Sequence, residues 1–191
     1  MKLSIGITGA SGVIYGVRFL EELKKKGVEV HLMITSHAAE LLRQEMGVEK
    51  EEIVKIATHY YPIDDLTAPI ASGSVISDGL VVIPCSMKTL AGIAHGYADN
   101  LLLRVADVTL KEKRTLIIVP RETPLNLIHL ENMVRLAKMG VLIIPAMPAF
   151  YYGPRTVDDI VNHIVGKVLD SLKIDHNLYT RWEDIINIKK K

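Results

Sequence analysis

Residues 2–16 read KLSIGITGASGVIYG, and this stretch decides the fold. Leu3, Ile5 and Ile7 alternate with smaller residues as in a strand, and glycines three apart follow them. Residues 13–26 then have the composition of a helix. Strand, glycine turn and helix in this order are typical of a nucleotide-binding βα unit, whose first helical N–H groups suit a phosphate. An ordinary βα turn, in which glycines only permit close packing, has the same pattern.

The glycine spacing disfavours a dinucleotide. It is G-x-x-G-x-x-G, whereas the dinucleotide fingerprint is G-x-G-x-x-G. The second predicted strand, residues 28–35, continues into Ser36 and His37 without the acid that holds an adenosine ribose. We therefore expect a mononucleotide phosphate rather than NAD.

Composition excludes several classes of protein. The 191 residues carry a net charge of +1, which gives no basis for nucleic-acid binding through bulk charge. The single cysteine, Cys85, excludes an internal disulfide and is expected in a reducing cytoplasm. No apolar run reaches about 18 residues, so no membrane helix is expected. The seven histidines show no metal-ligand spacing, so no metal site is expected.

The elements alternate between strand and helix, which predicts one α/β domain over residues 1–191, with a C-terminal tail from about residue 173. We expect a three-layer, Rossmann-like (flavodoxin-like) fold with a mostly parallel sheet. After the first strand, the other four are expected at 28–35, 79–84, 116–119 and 141–145. Helices are expected at 13–26, 37–46, 87–97, 101–113, 125–139 and 157–172. Residues 57–74 are predicted to be irregular.

Ligands of such sheets bind beyond the carboxyl ends of the strands, so polar residues there are candidates for a site. Ser36 and Ser86–Thr89 offer hydroxyls, a cation and helix-start N–H groups, although Ser and Thr also cap helices. Arg121 can bind a phosphate or a carbonyl, and Glu122 can accept or donate a proton. Alternatively, these two residues form a surface ion pair at a capped helix entry.

Further candidates lie away from the strand ends. Arg104 and Lys111 are seven residues apart and so share one face of a helix. Residues 148–154, PAFYYGP, form an aromatic turn that could stack on a flat ligand or line an oligomer contact. Lys167 and Trp182 could reach the same place.

Taken together, these segments resemble the UbiX-type flavin prenyltransferases, once described as phenolic acid decarboxylase subunits. The resemblance covers nearly the whole chain. It rests on GITGASGVIYG, the Ser36 strand end, ASGS at 71–74, PCSMKTLAGIAHG at 84–96, ADNLLLRVADVTLKEKR at 98–114, PRETPL at 120–125 and PAFYYGP at 148–154.

The resemblance implies that the chain joins a dimethylallyl group from dimethylallyl phosphate to N5 and C6 of reduced FMN, without a metal. The FMN-binding residues would be Gly9, Ala10, Ser11, Ser36, Ser86, Met87, Lys88, Thr89 and Arg121. The substrate-binding residues would be Tyr151, Lys167, Arg104, Lys111, Glu122 and Trp182. The catalytic residues would be Ser11, Glu122, Lys111 and Tyr151.

The resemblance also implies partners: a homo-oligomer, probably a dodecamer, whose active sites are shared between subunits, and a UbiD-type decarboxylase that receives the prenylated FMN. The chain departs from the family pattern at two places. It has Tyr152–Gly153–Pro154 where the family often has Tyr-His-Arg-Pro, and it has Lys167 at the phosphate-binding position where relatives have an arginine. Two alternatives stay open. One is an FMN-dependent decarboxylase of the cysteine or pantothenoyl-cysteine type, which would need a histidine near residues 68–72. The other is a non-catalytic FMN carrier, which would not need Glu122 or Lys167.

Overall fold

The computed structural model describes residues 1–189, which form an α/β fold with a six-stranded sheet flanked by helices. Residues 1–145 form one compact unit, and the residues from Ala146 onward form a second. The strands are β1 Lys2–Ile7, β2 Glu29–Ile34, β3 His59–Tyr60, β4 Gly79–Cys85, β5 Thr115–Pro120 and β6 Leu142–Ile143. The helices are α1 Val13–Lys25, α2 Ser36–Leu41, α3 Lys50–Val54, α4 Met87–Ala94, α5 Leu101–Lys111, α6 Leu127–Lys138, α7 Val157–Ser171 and α8 Trp182–Lys189.

The sheet has the strand order β3-β2-β1-β4-β5-β6, and every neighbouring pair is parallel. The chain order therefore reverses between β1 and β4. This is the strand order of a doubly wound Rossmann sheet, in which ligands bind in the crevice at the reversal. The expected Rossmann-like fold is confirmed.

The strands of the first unit are buried on both faces. Leu80 and Val82 of β4 point into a cluster that includes residues of α4 and α5, and Leu102 of α5 covers Gly6 of β1. On the opposite face α1 packs so closely that a Cβ at Gly16 would lie 2.5 Å from the carbonyl oxygen of Ile83. Because both faces are covered by helices, the strand sequences are almost continuously apolar.

Three elements differ from the sequence prediction. Residues 57–74 contain β3 and a 3-10 turn at Pro69–Ala71, so they are not wholly irregular, and the sheet has a sixth strand. A two-residue strand is too short to show the alternation by which strands are predicted. The short α3 starts at a capping box between Glu49 and Glu52. In addition, the C-terminal tail contains α8.

No helix within residues 1–189 is long and apolar enough to cross a membrane.

Candidate functional site

The carboxyl ends of β1 and β4 are joined by Thr8, whose side chain is fully buried. Its Oγ1 donates to the carbonyl oxygen of Pro84 at 2.8 Å and accepts from the N–H of Ser86 at 2.8 Å. Both hydrogen bonds are shielded from water, so the two loops at the reversal of strand order are held in one geometry.

A cavity of about 350 Å³ opens beside these loops, at the position where a Rossmann sheet binds its ligand. Six of its lining residues were predicted as site residues: Gly9, Ser86, Met87, Lys88, Thr89 and Glu122. The other four were missed by the sequence analysis: Thr35, His37, Asn100 and Leu103. Thr35 and Asn100 each precede a predicted helix, which is a cap signal that could have identified them.

Three helices begin at this cavity. Thr35 Oγ1 accepts from the N–H of Ala38 at the start of α2, at 3.3 Å. Ser86 Oγ accepts from the N–H of Thr89 in α4, also at 3.3 Å, and Asn100 Oδ1 caps α5. Helix N-termini carry partial positive charge. Three of them around one cavity favour an electron-rich or anionic ligand.

The glycine turn after β1 is used differently from the prediction. Gly12 has φ of +97°, and its N–H and that of Val13 donate to Oε2 of Glu45 at 2.9 and 3.2 Å. These first N–H groups of α1 are therefore not free for a phosphate, because a carboxylate of the same chain accepts from them. Gly9 is required for close packing, since a Cβ there would lie 2.6 Å from Cβ of His37.

Arg121 and Ser11 come together at the same edge of the sheet. Arg121 Nε donates to the carbonyl oxygen of Ser11 at 3.1 Å, which connects the loops after β1 and β5. Glu122 lines the cavity and accepts from the N–H of Thr123 at 3.0 Å. Among the described residues no ion pair joins Arg121 to Glu122, which disfavours the surface-ion-pair interpretation. Ser36 is exposed at the start of α2, and Ala10 is buried.

Arg104 and Lys111 do not line this cavity in their own chain. Arg104 donates to Oδ2 of Asp107 at 2.8 Å and to the carbonyl oxygen of Ala71 at 3.1 Å. Lys111 pairs with Glu112. Lys111 is eight residues beyond Leu103 on α5, or about 12 Å along the helix axis. A single chain thus presents these two cations elsewhere on its surface.

The second unit brings Tyr151 and Trp182 together, as the sequence suggested. Their rings meet edge to face with centroids 5.3 Å apart, and Tyr151 also contacts the ring of His163 at 6.2 Å. Lys167 lies one helical turn beyond His163, is exposed, and has its Nζ 3.9 Å from Oδ2 of Asp170. An exposed aromatic pair and a cation therefore occur in one region of this unit.

Asp170 holds the segment that leads to α8. It accepts from Nε2 of His176 at 3.1 Å, the hydroxyl of Tyr179 at 2.5 Å and Nη2 of Arg181 at 2.8 Å. Partial burial alone would raise the pKa of Asp170, but these hydrogen bonds outweigh it and lower the pKa to about 2. Burial and the Asp170 charge in turn raise the pKa of Tyr179. The network fixes the chain directly before Trp182.

Comparison with known proteins identifies the family. The Flavoprotein family model matches residues 1–169. The flavin prenyltransferase UbiX of Halalkalibacterium halodurans is 53% identical over 189 residues, covering 94% of this chain and 92% of the relative. The solved dodecameric FMN-dependent UbiX-like decarboxylase of Escherichia coli O157:H7 is 49% identical with a TM-score of 0.94, covering 95% of this chain and 99% of its own. AnUbiX (PadA1), solved with FMN and dimethylallyl pyrophosphate, is 39% identical with a TM-score of 0.93, covering 95% and 96%. The chain belongs to the Flavoprotein family and, within it, to the UbiX-type flavin prenyltransferases.

Proposed function

We propose that this protein is a flavin prenyltransferase that transfers the dimethylallyl group of dimethylallyl phosphate to N5 and C6 of reduced FMN. The observation that carries the proposal is the cavity at the reversal between β1 and β4, where α2, α4 and α5 begin. Relatives about half identical to the chain are flavin prenyltransferases, and AnUbiX was solved in complex with FMN and dimethylallyl pyrophosphate.

The residues at the cavity fit FMN. Helix N-termini at Thr35, Ser86 and Asn100 direct partial positive charge at it, and Met87 adds a half-buried apolar side chain for a flat ring. We assign the flavin phosphate to Ser36 and Arg121, because the N–H groups of α1 are taken by Glu45. Reduced FMN, when bound, supplies the electron-rich nitrogen and carbon that accept the prenyl group.

The prenyl phosphate needs cations at one end and aromatic faces at the other. Breaking its allylic C–O bond yields a phosphate anion and an allyl cation. Tyr151 and Trp182 offer aromatic faces, which attract a cation, and Lys167 offers a charge for the leaving phosphate. A lysine binds as a point charge, whereas the arginine of relatives can bind a phosphate through two parallel hydrogen bonds.

Glu122 is the residue that we assign to proton transfer. It lines the cavity, and one of its carboxylate oxygens already accepts from the N–H of Thr123, which orients the group. With FMN bound, its carboxylate would accept the proton released from C6 of the flavin at ring closure. Ser11 is exposed nearby, with its backbone held by Arg121, and is the second candidate for this role.

We propose further that the protein is a homo-oligomer, a dodecamer like its Escherichia coli relative, with active sites shared between subunits. α6 exposes a row of apolar side chains, with Leu127 69%, Ile128 65% and Val134 53% accessible, which is typical of a subunit interface. Arg104 and Lys111 do not line the cavity of their own chain, and we propose that they serve the site of a neighbour, exchanging their contacts with Asp107 and Glu112 for the substrate phosphate. The product would pass to a UbiD-type decarboxylase in the cytoplasm.

The alternatives predict different products. Residues 68–72 contain no histidine, and His59 lies on the edge strand β3 at the amino end of the sheet, which disfavours a cysteine-type decarboxylase. The deciding experiment mixes the protein anaerobically with reduced FMN and either dimethylallyl phosphate or the diphosphate. Mass spectrometry should detect a flavin heavier by one prenyl unit. Absence of this species with both substrates would leave the carrier or decarboxylase function.

A further inference from the structure

Three side chains with metal-ligand chemistry meet on one face of the sheet, at its amino end. Glu29 and His31 are two residues apart on β2, so both point to the same face. His59 of β3 is paired with His31 across the parallel ladder, so it lies directly beside it. The strand register thus brings two imidazoles and one carboxylate together, although His59 lies 28 residues beyond His31 in the sequence.

The ligand atoms are almost at coordination spacing. Glu29 Oε1 lies 3.0 Å from His31 Nε2 and 3.8 Å from His59 Nε2, and all three atoms fall within 4.8 Å of one another. A tetrahedral zinc ion with bonds of about 2.0–2.1 Å holds its ligand atoms about 3.3 Å apart. Small rotations of the half-exposed His59 and of Glu29 are therefore enough to close the site.

Tyr61 orients His31 for this role. Its Nδ1 lies 3.2 Å from the hydroxyl of Tyr61, and the two rings are stacked at an interplanar angle of 5°. With the Nδ1 proton donated to Tyr61, the Nε2 lone pair faces Glu29 and His59, the arrangement usual for metal-bound histidines.

We propose that Glu29, His31 and His59 bind a divalent transition metal, with Zn²⁺ the best match to two imidazoles and one carboxylate. In the metal-free protein the ring proton of His31 sits on Nε2 and is donated to Glu29 Oε1 at 3.0 Å. A metal bound to Nε2 moves that proton to Nδ1, where the Tyr61 hydroxyl accepts it, so the neutral imidazole changes tautomer and releases no proton. Lys2 competes, because its Nζ is 3.0 Å from Glu29 Oε1, but its side chain is one-third exposed and can turn into solvent.

The metal would have a structural role, separate from prenyl transfer. Along β2, Glu29 lies five residues and His31 three residues before Ile34 at the carboxyl end, or about 17 Å and about 10 Å. β3 has only two residues and forms the outer edge of the sheet. A metal that bridges β2 and β3 would fasten this edge strand, and so stabilise the folded state by mass action.

The experiment is a calorimetric titration of tag-free protein with ZnCl₂. We expect one ion per chain. His59→Gln should weaken binding by more than about tenfold, and Tyr61→Phe by about tenfold to a hundredfold. Lys2→Gln should strengthen it. His95→Gln is the matched control. His95 is an exposed histidine that caps the C-terminus of α4 and is not part of the cluster, so this variant should bind Zn²⁺ like the unsubstituted protein.

A second readout keeps the test independent of the flavin chemistry. Zn²⁺ should raise the melting temperature of the unsubstituted protein and not that of His59→Gln, while both proteins prenylate FMN equally. Equal Zn²⁺ affinity of His59→Gln and the unsubstituted protein would overturn the proposal. So would an equal loss in His95→Gln, because both outcomes indicate only scattered surface binding.

Discussion

A shared active site makes a prediction that no single-chain site can satisfy. Lys111→Ala and Lys167→Ala should each lose most activity, whereas oligomers assembled from a mixture of the two variants should regain part of it. The reason lies in α5, which carries Lys111 about 12 Å along its axis from Leu103 at the cavity of its own chain. If Lys111 serves a neighbour, some sites in a mixed oligomer combine an intact Lys111 with an intact Lys167.

The size of the effect follows from the contacts and from symmetry. In the proposed site each lysine makes a charge-assisted contact with the prenyl phosphate. Loss of one such contact should cost about 1.5–3 kcal/mol, or roughly tenfold to a hundredfold in substrate affinity. FMN affinity should be nearly unchanged in Lys167→Ala. In a random equal mixture, about one quarter of the sites contain both lysines, because a heterologous interface takes one residue from each of two subunits.

The assay co-expresses the two variants with different affinity tags, isolates oligomers that carry both, and measures prenylated flavin at limiting dimethylallyl phosphate. Oligomers that carry both tags but only one of the substitutions are the control and should stay inactive. Recovery near one quarter supports the shared site. No recovery in mixed oligomers of confirmed composition would refute it, and loss of FMN binding in Lys167→Ala would refute the role given to that residue.

Three further predictions concern single residues. Glu122→Gln keeps the shape of the side chain but cannot accept a proton, so single-turnover prenylation should slow by about 10²–10⁴-fold; a normal rate would exclude Glu122 as the base. Thr8→Val removes the hydroxyl that bonds the Pro84 carbonyl and the Ser86 N–H; the carbonyl still accepts from the Thr8 N–H at 3.3 Å, but the Ser86 N–H loses its partner. The free energy of unfolding should fall by about 1–3 kcal/mol in urea titrations, with Thr8→Ser much less affected. The hydrogen bonds to Asp170 lower its pKa from an ordinary 3.8 to about 2 in the folded state. Its contribution to the free energy of unfolding is therefore complete above about pH 4 and is lost as the pH falls through about 2. In Asp170→Asn the free energy of unfolding should therefore fall less between about pH 4 and pH 2 than in the unsubstituted protein; an identical fall in both proteins would contradict the prediction.

The sheet could be predicted from the sequence because its long strands are buried on both faces. Such strands appear as short apolar runs, as at residues 79–84, and the residue after each run lies at the carboxyl edge. By the same logic the sequence predicts Ser86–Thr89 and Glu122 at the carboxyl edge, and in the structure all of them line one cavity. Local signals were sufficient there because each residue sits directly beside its own strand.

Interactions between distant segments could not be predicted in this way. The sequence gives no partner for the N–H groups of Gly12 and Val13, because their acceptor, Glu45, lies more than thirty residues away on the π-helical turn Leu42–Met46. His37 likewise gave no motif, although it packs against Gly9 and lines the cavity. Each is a consequence of tertiary packing, which carries no fixed spacing along the chain.

The amino edge of the sheet shows why a search for ligand spacing missed the metal site that we propose. Sequence motifs for metals assume ligands on one helix or one loop, at separations set by local geometry. Parallel neighbouring strands lie about 4.8 Å apart, so residues at equal register on one face come within ligand distance whatever their separation in the chain. His31 and His59 satisfy this condition only because β3 exists, and β3 is the strand that the sequence pattern could not show. In our proposals prenyl transfer uses the carboxyl ends of β1 and β4, whereas metal binding uses side chains of β2 and β3, so we expect substitutions to remove either one without the other.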